Sequence, residues 1–173
     1  MQLTKGERLL FLMIADIYER LGAQGVDTKL IKEAICTGNT WAIDWQYSDR
    51  LPDEVAPAVL KEIVDILDMW VFLERGHQAL SSHDKERVER ETQRPVRFIG
   101  FDQNEESEQV SVAEFLIRRM NRFESFRGRQ LNSAVHTLER HRRMLAVFEP
   151  IRPTLTDSDL DLSSDQIIAI FKA

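Results

Sequence analysis

Apolar positions recur at helical spacing along most of this chain, and capping signals mark where several of the runs begin. Over residues 4–21, Leu3, Leu10, Ile14, Ile17 and Leu21 form one stripe, widened by Leu9, Met13 and Tyr18. Phe11 and Leu12 carry the apolar surface almost around the helix, more than a helix wet on one side requires. Thr4 followed by Glu7 has capping-box spacing, in which each side chain accepts from the other residue's backbone N–H. Gly22 and Gly25 punctuate the end of this run. Asp27 is placed to cap a shorter helix that carries Leu30, Ile31, Ala34 and Ile35 and closes at Gly38. In TWAIDWQY, Trp41 and Trp45 stand four apart and share a face if the segment is helical.

The longest periodic run opens at Leu51-Pro52-Asp53 and covers about 53–75. Val59, Ile63, Ile66, Leu67, Trp70 and Leu73 make its apolar face, with Lys61, Glu62, Asp65 and Asp68 opposite. Pro57 lies near the start, and Arg75-Gly76 reads as a basic last turn before a glycine stop. Phe72 falls on the polar side, so either another element or a partner covers it.

Residues 77–95 are highly charged and read as a flexible, solvated short helix or loop, with Ser81 and Asp84 suggesting a helix start. RPVRFIGFD is the one strand-like stretch, too short to make a sheet alone. Asp102 and Glu105 then repeat a cap pattern before a stripe of Val112, Phe115, Leu116, Met120 and Phe123, broken by Gly128. A further helix is predicted over about 132–148 with Val135, Leu138, Leu145 and Phe148, stopped by Pro150 and Pro153. Ser163 with Gln166 caps a last short helix.

The predicted fold class is therefore all-α: a compact multi-helical domain of six to eight helices over 1–173, with at most a trace of β structure. Only seven glycines and five prolines punctuate the 173 residues, which agrees with few turns. A hydrophobic content of 43% against 30% charged residues argues against disorder. Cys36 is the sole cysteine, so no intrachain disulfide or multi-cysteine zinc site can form, and as a lone cysteine at a helix end it reads as packing. The apolar run at 9–15 is too short to span a bilayer and lacks a cleavage site, so no membrane association and a cytoplasmic location are expected.

No catalytic residue, metal site or cofactor is indicated. His77, His83, His136 and His141 show no pair at the spacing that puts two imidazoles on one helix face. The run from Asp157 to Asp165 places carboxylates at Asp157, Asp159 and Asp161. Leu162 and Ile168 occupy the positions where a calcium loop needs glycine and glutamate, so the run reads as a solvated linker. Asp102, Glu105, Glu106 and Glu108 read as first-turn helix acids rather than an acid–base pair.

Between 118 and 143 the chain carries eight arginines against two acids, Glu124 and Glu139. Arg118, Arg119, Arg122, Arg140, Arg142 and Arg143 are candidates for an anion or nucleic-acid surface. The competing reading pairs Glu114 with Arg118 and Glu139 with Arg143 within the fold.

The pieces LTKGERLLFL, EIVDILDMWVFL, RFIGFD, RRMLAVF and LSSDQIIAI occur in order through nearly the whole chain. Together they resemble the YfbU family, a bacterial group. The resemblance implies a compact, multi-helical, cytoplasmic domain and brings no catalytic residues to transfer. Within RFIGFD, Gly100 is expected to permit a turn, Phe98 and Phe101 to be buried, and Asp102 to cap. The leading functional expectation is a self-associating or partner-binding module, a homo-oligomer or a complex with another protein. Its candidate interface is Phe11, Leu12, Trp41, Trp45 and Phe72. The alternative is an anion or nucleic-acid binding regulator using 118–143.

Overall fold

A computed structural model of the chain describes residues 3–50, 55–155 and 161–173. These form two compact units, Met1–Glu54 and Val55–Ala173. Among the described residues there are eight α-helices, and β structure is confined to one isolated parallel bridge between Phe101 and Asn132. The all-α class and the trace of β structure are as the periodicity predicts.

The first unit holds α1 (Lys5–Arg20), α2 (Thr28–Thr37) and α3 (Trp41–Gln46). Local chemistry sets the ends of the first two. The Thr4/Glu7 capping box closes in both directions, Asp27 accepts from Leu30 N at 3.1 Å, and Gly38 ends α2 in the left-handed region. The helices α1 and α2 are joined by Lys32, whose Nζ reaches Asp16 at 2.6 Å and Glu19 at 2.7 Å. Little is buried between these elements: Ala15 of α1, and a small cluster of Ala34, Ile35 and Ile43 with Leu3, Leu12 and Leu30 packed on it.

The second unit is built on α4 (Pro57–Ala79), around which α5 (Ser82–Thr92), α6 (Ser107–Glu114), α7 (Leu138–Phe148) and α8 (Ser164–Phe171) are arranged. The helix α4 contacts α6, α7 and α8, and α8 also packs on α5 and α7. Ile63, Ile66, Leu67, Trp70 and Leu73 are buried as the stripe predicts. The proposed opening at Leu51–Asp53 lies outside the described residues. Gly76, predicted as a stop, is helical and buried, and α4 continues to Ala79. A Cβ at Gly76 would come within 2.9 Å of Leu162 N, so this glycine permits a close approach of the 162 backbone instead of ending the helix. The charged segment, predicted as a solvated short helix or loop starting near Ser81, contains α5, which is capped by Ser81 and buries only Val88. Arg87–Asp165 and Lys172–Glu91 contacts then tie α5 to α8.

Three other boundaries differ from the periodicity. The stripe beginning at Val112 meets a π-helical turn, Phe115–Arg119, closed by Met120 N donating to Phe115 O. The wider turn shifts the facing of its residues, so Leu116 and Ile117 are buried while Phe115 and Met120 are exposed. The chain leaves this helix at Met120, before Gly128. The predicted helix over 132–148 starts only at Leu138, because 132–137 is a loop with Ala134 at φ +54°. Asn132 Oδ1 holds that loop by accepting from Ala134 N and Gln103 N.

The RFIGFD segment enters the core. Phe98 and Phe101 are buried, and Phe101 exchanges backbone bonds with the 131–133 strip (Phe101 N to Leu131 O, 2.9 Å; Ser133 N to Phe101 O, 3.0 Å). Glu74, itself buried, accepts from Phe98 N at 2.7 Å and takes both terminal nitrogens of Arg129 at 2.7 Å. Gly100, at φ +90°, lies where a Cβ would be 1.9 Å from Leu131 O. Gly100→Ala is expected to lower stability by about 3 kcal/mol or more. Gly128→Ala, also left-handed but with open space around it, should cost about 1 kcal/mol. Urea denaturation measures both, and equal losses would mean that backbone handedness alone sets the cost.

Candidate functional site

The buried polar centre of the second unit is Glu106. Its carboxylate accepts from Asp102 N, Thr137 N and Leu138 N, each at 2.8 Å, and the Thr137 hydroxyl lies 3.0 Å away. Two of those amides open α7, so the charge meets the positive end of that helix. Burial pushes the carboxyl up, but the three backbone donors and Thr137 outweigh it and hold it below the ordinary value. The expectation of first-turn acids holds for Glu108, which lies in the first turn of α6, and is corrected for Asp102 and Glu106. Asp102 instead turns the local backbone by accepting from Asn104 N at 3.0 Å, and Glu106 caps a helix 31 residues on.

One turn into α7, His141 is fully buried, with neither ring nitrogen hydrogen-bonded. Trp70, Phe98 and Phe101 surround its ring at centroid distances of 5.3–5.7 Å. Burial, reinforced by the Arg140 charge and opposed by Glu106, lowers its pKa to about 3. Of the other histidines, His83 and His136 are exposed, and burial lowers the pKa of the half-buried His77.

The six candidate arginines do not share one surface role. Arg118 pairs with Glu114 at 3.0 Å, and Arg142 is held by Glu62 and Glu139. The predicted Glu139–Arg143 pair is not formed, since Glu139 is engaged by Arg142. Arg119 and Arg122 have no side-chain partner among the described residues. Arg140 and Arg143, one turn apart on α7, line a cleft of about 620 Å³ together with Arg94 and Arg97. Phe171 of α8 contributes aromatic surface to it, Trp70 of α4 lies at its wall but is only 1% exposed, and Ile99, Val135 and His136 complete much of the lining. None of the described lining residues is acidic. Burial pushes the Arg140 guanidinium down, and the neighbouring charges of Arg94 and Arg143 act in the same direction. Arg94 and Arg97 lie outside the arginine-dense window, preceding it by more than twenty residues, so local arginine density gives no sign of them.

In the first unit, α1 presents its predicted apolar stripe outward. Leu10, Met13 and Ile17 each keep 55% of their surface exposed, and Leu9, Ile14 and Leu21 are also exposed. The side that packs on α2 is the one carrying Leu12 and Ala15, with Asp16 and Glu19 held by Lys32. Among the interface candidates, Leu12 is thus half-buried internally, while Phe11 is exposed at the edge of the apolar face. Trp41 and Trp45 are exposed at 63% and 81%. Phe72 is half-buried against Phe148 (5.6 Å) with the Arg75 guanidinium 4.8 Å from its ring, so another element covers it. Cys36, read as a packing residue, is exposed, because α2 turns Ala34 and Ile35 inward instead. Of the acidic run, Asp157 and Asp159 lie outside the described residues, and Asp161 pairs with Arg75 at 3.0 Å.

The model of the YfbU domain matches residues 1–173, the whole chain. The chain belongs to the YfbU family. The RFIGFD element of this YfbU domain is accounted for by packing: Phe98 and Phe101 wall His141, and Gly100 admits the Leu131 backbone. No helix among the described residues is long and apolar enough to cross a membrane.

The His141 environment makes a pH prediction. The folded imidazole stays neutral down to about pH 3, whereas the unfolded one takes a proton near 6.5. A depressed histidine pKa contributes stability that is complete above pH 6.5 and lost progressively as pH falls toward about 3. By pH 5 the loss is about 2 kcal/mol. The lowered Glu106 acts with the same sign but below its ordinary carboxylate range. His141→Leu should remove the slope between pH 6.5 and 5 in denaturant titrations. A slope equal to that of the parent protein would mean that His141 takes a proton while folded.

Proposed function

We propose that this YfbU domain works as a self-associating module that pairs through α1. The observation that carries the reading is the outward apolar face of α1 on a unit whose own buried cluster is three residues. A unit of this size is marginal even with a full core, so burying that face has a large effect on its stability. The outward positions Gly6, Leu10, Met13 and Ile17 follow the alternating four-and-three spacing of a helix–helix seam.

A second copy suits this face because the helix is self-complementary when antiparallel. With the twofold axis between Met13 and Ile14, Leu10 opposes Ile17, Gly6 opposes Leu21, and Glu7 opposes Arg20. Gly6 has nothing within 4 Å of where a side chain would begin, which leaves space for Leu21. The antiparallel arrangement also opposes the helix dipoles favourably.

Leu10→Glu and Ile17→Glu should convert a dimer to a monomer in sedimentation equilibrium with unchanged helical circular dichroism, since both side chains are already exposed. In a Cys36→Ser background, mild oxidation should join two copies through Met13→Cys but not through Leu21→Cys. A parent protein that stays monomeric at tens of micromolar would overturn the proposal.

A further inference from the structure

We infer that the arginine cleft on α7 is a binding site for a small phosphorylated compound whose uncharged part lies against Phe171 and Val135. Four arginines, Arg94, Arg97, Arg140 and Arg143, line one concavity without a carboxylate in its described lining. Several other arginines of this unit are matched to acids: Arg129 to Glu74, Arg142 to Glu62, and Arg152 to Asp65 and Asp68. Arg94 and Arg97 have no side-chain partner among the described residues, and Arg143 donates from Nε to the Ala173 backbone oxygen at 3.2 Å. Arg140 Nε is buried with no hydrogen-bond partner, an arrangement that native proteins rarely leave unsatisfied. Trp70 Nε1, on a ring that also lines the cleft, is in the same state.

The walls are held by groups outside the cleft. Phe98 N is fixed by Glu74 and Phe101 N by Leu131, which sets the segment bearing Arg94 and Arg97. Glu106 fixes the start of α7, and Arg140 and Arg143 project from its next turns. Planar guanidinium forks suit the several oxygens of a phosphate. A volume of about 620 Å³ exceeds what a lone phosphate fills and falls within the range of small-molecule sites. Concavity and the aromatic surface favour a small ester over a nucleic-acid backbone, which would be tracked by an open basic groove.

Calorimetric titration of the full chain at low salt, with phenyl phosphate, inorganic phosphate and a single-stranded oligonucleotide as probes, tests the assignment. Phenyl phosphate should bind saturably, at least severalfold more tightly than inorganic phosphate. Arg94→Gln and Arg143→Gln, both at exposed positions, should each weaken it about tenfold, the scale of one hydrogen bond to a charged group. Arg119→Gln and Arg122→Gln, outside the cleft, should leave it unchanged. Equal affinity for the two phosphates, no saturable binding at millimolar concentration, or indifference to the cleft variants would each overturn the assignment. Oligonucleotide binding that depends on Arg119 and Arg122 rather than on the cleft would do the same.

Discussion

The second unit depends on one buried carboxylate. Glu106 takes three backbone amides from two distant stretches, Asp102 on one side and Thr137–Leu138 on the other. A carboxylate placed there offsets its desolvation through charge-assisted bonds and through the positive end of α7. The consequence is positional. Once α7 begins at Leu138, His141 faces Trp70, Phe98 and Phe101, and Arg140 and Arg143 face the cleft. A different starting residue would rotate the helix by about 100° per position and move these side chains to other faces.

The neutral buried histidine belongs to the same construction. His141 stands in line with Leu138, Leu145 and Phe148, a polar residue on an apolar stripe. Its uncharged state follows from the aromatic surroundings, and the adjacent Arg140 opposes a second positive charge. The first unit follows a different logic. Its polar pairs, Lys32 with Asp16 and Glu19, join α1 to α2, and most of the apolar surface of α1 is left facing outward.

Much of the helical order was legible in the sequence because caps are local. Thr4 with Glu7, Asp27, Ser81 and Ser163 with Gln166 each act within three residues, so spacing alone reveals them. Illegible features depend on partners far along the chain. Gly76 continues a helix because Leu162 needs room, and 132–137 leaves the helical pattern because Glu106 and Asn132 capture its amides. The apolar stripe of α1 identified a helix correctly but not its direction, since periodicity says that a face is apolar and not what covers it. The arginine window was similarly divided: local pairs absorb Arg118 and Arg142, while the cleft recruits Arg94 and Arg97 from another segment. The π-helical turn at Phe115–Arg119 left no signal in residue type.

The dependence on Glu106 is tested most directly by amide hydrogen exchange, comparing the parent chain with Glu106→Ala. The account predicts that protection at Asp102, Thr137 and Leu138 is lost together and that exchange quickens along the first turns of α7. It further predicts that α4, buried by its own apolar face, stays protected. Unchanged protection at Thr137 and Leu138 would contradict it, because another group would then be setting where α7 begins.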